Sequence, residues 1–437
     1  LFPKLALYYR FLTDIVGVVG DRFQEYGDVY RVPGKPAALY VLRHPEHLYE
    51  VLVERAADFD KGHTAFDRLS EVLGSGLLTS DGDRWRRHRR MMQPAFQRAR
   101  LIAYTRAMAT ESEALESRLK DGQLLDMGDT MMALTLAVVS RTLFSHDVSD
   151  DSGSVSHAMS TFQDSLARPD ILPRWVPDPA RIRRQRAIES LDDIILRLIR
   201  ERRDEREARP DVERDDLLER LMMAEDEEGD GARLTETEIR DELVTLFLAG
   251  HETTAQSLTW TFYLLSQHPA IERRLQAELD QVLAGRTPSY DDLEQLPYTD
   301  QVVSEALRLY PPVYLIARRA LTDTRIGGFD VPRGSELALW VYMTHRDPRW
   351  YDVPRAFRPE RFTPEARARL PRGAYLPFGL GPRTCIGKVF ALIEARIILA
   401  TLAQRFRFEL DPGQRVDIRP RITLTPKYGM RMRVRRR

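Results

Sequence analysis

Pro377-Phe378-Gly379-Leu380-Gly381-Pro382-Arg383-Thr384-Cys385-Ile386-Gly387 holds the only cysteine in 437 residues. Its glycines and prolines read as a tight, irregular loop. An amphipathic helix is predicted directly after it, from Lys388 to about Arg405. A thiolate just ahead of a helix N-terminus is stabilised by the helix dipole and by amides with no partner in the helix. By itself such a cysteine is also compatible with a small buried apolar residue, or with a nucleophile served by a distant histidine. One cysteine excludes an internal disulfide framework, a multi-cysteine zinc site and an iron–sulfur cluster, and it suits a reducing cytosol.

Upstream, the clearest helix runs from about Thr235 to Gln267. Thr235 and Glu238 form a capping box at its start, and Pro269 follows its end. About 33 residues at 1.5 Å each span roughly 50 Å, enough to cross a domain. Its flanks, Leu243–Ala249 and Leu258–Leu265, are mostly apolar, yet its middle reads Gly250-His251-Glu252-Thr253-Thr254. A polar break inside a buried helix is where a functional site is expected. A zinc-protease helix would need a second histidine at 255, where Ala255 stands, so that reading fails. Two readings remain at this point. Thr253 either bonds back to the carbonyl one turn earlier and bends the helix, or forms an acid–alcohol pair with Glu252 for proton delivery. In the second case Ala249 and Gly250 are small so that a flat ligand can reach the backbone.

The rest of the chain frames these two segments. Lys+Arg and Asp+Glu are equal at 66 each, so no basic excess points to nucleic acid. No run of eighteen apolar residues is present, so no transmembrane anchor is expected in this sequence, and Leu1–Gly20 has no secretory pattern. Asp28–Leu42 reads as a hairpin. Helical periodicity dominates from about 45 to 310, with Pro173, Pro177 and Pro179 marking a loop. Glu201–Arg214 reads as a solvated helix end and loop. Strand-like pieces return at Arg325–Pro332, Glu336–Met343 and after Pro420. The expectation is one domain over 1–437, mainly α with small β-sheets.

The spacing Phe378-x-x-Gly381-x-Arg383-x-Cys385-x-Gly387 resembles the haem-ligand signature of cytochromes P450. Supporting motifs extend the resemblance over nearly the whole chain. Glu305-Ala306-Leu307-Arg308 matches the family's Glu-x-x-Arg, and Phe357-Arg358-Pro359-Glu360-Arg361-Phe362 its Phe-x-Pro-x-Arg-Phe. Ala249–Thr254 matches its oxygen-activation segment, and Trp85 with Arg89 its Trp-x-x-x-Arg. The resemblance implies a P450 fold with a long central helix over a buried haem b, and Cys385 as the axial thiolate. Such a ligand favours O–O cleavage; thiolate-ligated P450s are the general example of that rule. It further implies that Gly387 and the loop glycines aim amides at sulfur, and that Phe378 shields it. Arg383, Trp85, Arg89 and Arg318 meet propionates, with Arg319 the neighbouring alternative to Arg318. Ala249 lies against the haem plane. Glu305, Arg308 and Arg361 form a structural triad behind the cysteine loop, and Glu252 and Thr253 deliver protons to bound dioxygen.

The implied activity is a monooxygenase that inserts one atom of O2 into a lipophile: a terpenoid, a steroid-like ring system or a fatty acid. The alternative is a non-oxygenating haem-binding protein, or an isomerase or dehydratase, on the same fold. With no flavin or nicotinamide fingerprint, electrons from NAD(P)H are expected through a separate ferredoxin or flavodoxin-like partner. Arg86, Arg87, Arg90 and Lys388 are candidates for its basic docking patch. Pocket walls are expected from the loop around His63–Ser80, from Asp170–Pro179, from Thr245, Phe247 and Ala249, and from Val313, Tyr314 and Ile316. A cytoplasmic monomer is the simplest expectation.

Overall fold

A capping box opens the longest described helix where the sequence places it. In this computed structural model the Thr235 N–H donates to Glu238 Oε2 (2.9 Å), and the Glu238 N–H donates to Thr235 Oγ1 (3.2 Å). The structure describes residues 10, 13–34, 37–144, 178–209, 211, 216–226 and 231–437. The described residues divide into two compact units, each assembled from separated stretches of chain.

The first unit draws on Leu1–Asp67, Glu305–Cys385 and Ile418–Thr425. Its centre is a five-stranded sheet of β1 (Val29–Val32), β2 (Leu39–Leu42), β3 (Phe59–Asp60), β4 (Ile316–Ala320) and β5 (Glu336–Leu339). The spatial order is β1-β2-β5-β4-β3. The β1–β2 hairpin pairs Val29 with Leu42, as read from the sequence. The β2–β5 pair is parallel, with Leu39 beside Glu336. Leu42, Leu337 and Leu339 are buried beneath the sheet with Leu48, Val51 and Leu376. The strand expected over Glu336–Met343 stops at Leu339. Val341–Thr344 turns into a short helix in which Thr344 Oγ1 donates to the Arg43 and Trp340 carbonyls.

The second unit draws on Arg68–Ser304, Ile386–Asp417 and Pro426–Arg437 and is mostly helical. Its principal helices are α1 (Gly82–Met92), α2 (Arg98–Arg118), α3 (Met127–Phe144), α4 (Glu236–Gln267) and α5 (Lys388–Arg405). A three-stranded sheet of Leu124–Asp126, Arg431–Arg436 and Phe406–Leu410 closes one side of it. α3 runs along α4, and α5 packs on both α2 and α4. α4 is buried on all sides over most of its length: Leu243, Val244, Leu258 and Trp260 are fully covered. A helix apolar around its circumference belongs inside a protein. No described helix is long and apolar enough to cross a membrane.

Two local readings need correcting. The loop around His63–Ser80 contains a helix, Thr64–Leu73, followed by a turn. Within Glu201–Arg214, Arg202 is buried and not solvated. It belongs to the helix Pro179–Ala208 and holds Asp216 with two 2.7 Å bonds. That bidentate pair satisfies a guanidinium that a solvated helix end would leave in water.

Candidate functional site

The cysteine loop is shaped by two glycines and closed by its own amides. Gly379 and Gly381 adopt φ of +66° and +69°, a region that side chains disfavour. Gly381 is further constrained, because a Cβ there would lie 2.0 Å from the Leu52 carbonyl oxygen. The Cys385 N–H donates to Phe378 O (3.0 Å), and the Thr384 N–H donates to Gly381 O (3.0 Å). Cys385 is exposed, against the usual burial of a free cysteine. Phe378, Arg383 and Gly387 are each half-buried, and Gly387 caps α5, whose first residue is Lys388.

A polar hub supports the loop from behind. Glu305 accepts from Arg308 Nε (2.6 Å) and Nη2 (2.8 Å) and from the Arg358 N–H (2.9 Å). Arg361 Nε adds an ion-pair contact at 3.4 Å. Arg308 also donates to the carbonyls of His345, Pro354 and Ala356. His345 Nδ1 donates to Arg308 O, and its Nε2 accepts the Leu376 N–H (3.0 Å). Burial and the Arg308 charge hold His345 down to about 3, so the ring stays neutral and can accept there. Leu376 O accepts the Gly379 N–H (3.0 Å). An unbroken hydrogen-bonded route therefore runs from the Glu305–Arg308 pair into the cysteine loop. The structure thus brings together the three residues read as a triad.

On α4 the polar segment distributes its side chains over different faces. Ala249 is exposed and Thr253 half-buried, one turn apart on the same face of an otherwise buried helix. Thr253 Oγ1 donates to Ala249 O at 2.7 Å, so the back-bonding read from the sequence is present. Its oxygen lone pairs remain able to accept. Glu252 is buried. His251 Nδ1 donates to Phe247 O (2.7 Å), and burial holds the ring pKa down, so His251 is a neutral packing residue. Gly250 departs from its expected role. A Cβ at Gly250 would stand 3.3 Å from Val139 Cγ2, so its small size serves the close approach of α3. Ala249 is the exposed small residue of the segment.

The remaining candidates separate cleanly. Arg89 stacks over Trp85 on α1, 5.8 Å from the ring centre. Arg319 is committed to Asp60 through 3.1 and 2.6 Å bonds, whereas Arg318 is 8% exposed and turned inward beside Ala317. Of the neighbouring pair, Arg319 is thus the one engaged by a carboxylate of the chain itself. Thr245 is buried, and its Oγ1 would lie 2.5 Å from a Cβ on Gly76, so it faces the turn after Leu73. Phe247 is buried against the His251 ring. Ile316 is partly buried on the core under the sheet. Val313 is 40% exposed, which is compatible with a pocket wall. One pocket assignment does not hold. Tyr314 packs on Trp340, and its hydroxyl donates to Arg421 O (2.9 Å), a bond that fixes it as a core residue. Of the wall at Asp170–Pro179, residues 170–177 lie outside the described residues, and Pro179 opens a helix. The basic patch is also depleted: Arg87 pairs with Glu238 and Asp226, Arg90 with Asp226, and Arg86 with Asp83.

Sequence reading missed two acidic features in the second unit. His88 is buried with Nδ1 2.5 Å from Glu242 Oε1, while Glu242 Oε2 accepts the Leu77 N–H (3.1 Å). Asp241 accepts the Ser75 N–H (2.7 Å). Neighbouring carboxylates of α4 thus hold the turn that Thr245 faces. Glu394 on α5 is the second feature. It shares a helix face with Phe390, Ile397 and Ile398, and an acid on an apolar face was the signal available.

Comparison with known proteins places these features in context. The family model described as Cytochrome P450 matches residues 7–431. Pentalenene oxygenase of Streptomyces avermitilis is 38% identical, over 94% of this chain and 90% of its own. Cyclooctatin synthase of Streptomyces melanosporofaciens is also 38% identical, over 92% of this chain and 87% of its own. The crystal structure of the cytochrome P450DA heme domain superposes with a TM-score of 0.86 at 29% identity, covering 98% of this chain and 93% of that one.

Proposed function

Because the chain belongs to the cytochrome P450 family and is one of its monooxygenases, we propose that it places one oxygen atom of O2 on a terpenoid hydrocarbon or alcohol. Among the three lipophile classes expected from the sequence, the terpenoid gains support from the relatives' names. These are pentalenene oxygenase, cyclooctatin synthase and cyclooctat-9-en-7-ol 5-monooxygenase. The observation that carries the reading is the Ala249–Thr253 face. It interrupts the burial of α4 with one small residue and one hydroxyl, next to the buried acid Glu252.

The residues present fit a haem. Cys385 offers an accessible sulfur ahead of a helix N-terminus, in a loop held open by two positive-φ glycines. Arg318 and the Arg89–Trp85 pair supply guanidinium donors suited to carboxylates. In this reading Cys385 would hold the iron through its thiolate, Arg318, Arg383, Arg89 and Trp85 would hold the propionates, and Phe378 would limit water at sulfur. Ala249 would leave room for the macrocycle. When bound, haem supplies the redox chemistry that activates O2. The chain's own work is orientation and proton supply. The Thr253 hydroxyl accepts a proton from the Glu252 side as it passes its own onward. Electrons are assigned to NAD(P)H through a separate ferredoxin or flavodoxin-like protein. Since Arg87 and Arg90 are paired with Glu238 and Asp226, a docking surface for that partner would lean on Arg86 and Lys388 within the expected patch.

The test is the visible spectrum of the reduced, carbon-monoxide-treated protein beside Cys385→Ala. It is followed by turnover of pentalenene under labelled dioxygen with a surrogate ferredoxin and its reductase. A strongly red-shifted Soret band lost in the variant, with one labelled oxygen in the product, is expected. A band that survives Cys385→Ala overturns the ligand assignment, and unlabelled product overturns the reaction.

A further inference from the structure

Glu394 is the least explained charged side chain among the described residues. It is fully buried on α5 among Ile393, Ala395, Ile397 and Ile398. Neither of its carboxylate oxygens meets strict hydrogen-bond geometry, and the Thr254 hydroxyl is the one side chain that interacts with it. A buried carboxylate without a partner is far costlier than a buried neutral acid. Burial accordingly pushes the Glu394 carboxyl up to about 8, with the adjacent Thr254 hydroxyl opposing that rise. Titratable groups occur on the elements packed against α5: Tyr104 on α2, His251 and Glu252 on α4, and Glu272 on the helix Pro269–Leu283. None of them contributes to the shift.

The neighbour is informative. Thr254 belongs to the polar segment of α4 and is itself buried. Its hydroxyl donates to Gly250 O at a long 3.3 Å, one residue after the shorter Thr253–Ala249 bond. Two successive back-bonds onto one turn loosen and bend a helix there. Ala249 and Thr253 lie on the adjoining face, Thr253 about 100° round the helix from Thr254.

We infer that Glu394 is a positioning residue for the oxygen-activation segment, acting through Thr254. The inference rests on reading 249–254 as the segment that delivers protons. As a neutral acid, Glu394 donates its O–H to Thr254 Oγ1, and this keeps the Thr254 proton directed at Gly250 O. When the acid gives its proton to solvent, the hydrogen bond reverses. Thr254 then donates to the carboxylate, and Gly250 O loses its side-chain donor. The turn that carries Thr253 is thereby held in one of two states by a group that touches neither substrate nor haem.

The experiment is difference infrared spectroscopy of the holoprotein through neutral to alkaline pH, paired with measurement of product formed per NAD(P)H consumed. A protonated-carboxyl band that vanishes with a midpoint near 8, and is absent from Glu394→Gln, is expected. Thr254→Val should move that midpoint upward, because the ionised form loses its only donor. Coupling in the wild type should fall about threefold across the same midpoint, the order expected for one net hydrogen bond. Glu394→Gln, whose amide donates at every pH, should stay flat, and so should Glu394→Leu, which leaves Thr254 no acceptor but Gly250 O. A band insensitive to both substitutions, or a Glu394→Gln profile identical to wild type, overturns the inference. If pentalenene is not oxygenated but the band titrates and shifts in Thr254→Val, the pairing stands and the proposed reaction falls.

Discussion

Glu305 and Glu394 are both fully buried glutamates, 0% exposed, and they are held in opposite ways. Glu305 takes three hydrogen bonds, from Arg308 twice and from the Arg358 amide, with Arg361 adding charge. Glu394 takes none. Glu242, also fully buried, lies between them with one histidine and one amide. The series separates two uses of a buried acid. A fully partnered acid is a staple, and its surroundings are built to hold it in place. An unpartnered acid gives up its charge and becomes a group whose state depends on pH. The first belongs to architecture and the second to function.

Removing the staple should have the largest effect. Glu305→Ala leaves the Arg308 guanidinium buried without its carboxylate, which costs about 3–5 kcal/mol in comparable sites. Urea unfolding should show that loss, together with poorer haem retention, because the route from Arg308 through His345 and Leu376 ends in the cysteine loop. A cost below about 1 kcal/mol, the level of a surface pair, would break the comparison at its strong end. A smaller effect is expected at the intermediate acid. Glu242→Gln keeps an acceptor for Leu77 but discards the 2.5 Å carboxylate contact to His88, a loss of about 1–3 kcal/mol. Faster proteolysis within residues 74–80 would show that the acid holds that turn.

The same distinction explains what could be read from the sequence. The long helix was legible because Thr235 and Glu238 cap it and its flanks are apolar. The cysteine loop was legible because its glycine positions require particular backbone geometry at fixed spacing. Glu305 and Arg308 were legible as a pair because i, i+3 residues share a helix face. Contacts between distant stretches were not. Nothing near Arg319 reveals that Asp60 will claim it, and Tyr314 looked like a pocket wall until the Arg421 carbonyl was found at its hydroxyl. Gly250 was read as making room for a ligand, when the neighbour it accommodates is Val139 on α3. Sequence pattern shows that a residue must be small or apolar. Only the packing shows which neighbour demands it.

The smallest stability change is expected at the unpartnered acid, and its sign sharpens the comparison most. Glu394→Leu replaces a buried acid with an apolar side chain of similar volume, and the Thr254 hydroxyl keeps its bond to Gly250 O. The carboxyl is raised from its ordinary 4.5 to about 8 in the folded protein. The folded state therefore holds this proton more tightly than the unfolded state does. Stability conferred by that preference is complete below about 4.5 and is lost as pH rises to about 8. The leucine variant lacks this dependence. Its melting temperature relative to wild type should climb through that window and level off above it, with the leucine protein the more stable at alkaline pH. Glu305→Ala should be destabilising at every pH in the same window. If Glu394→Leu is instead destabilising by an amount that does not change with pH, Glu394 has a charged partner in solution and is a second staple.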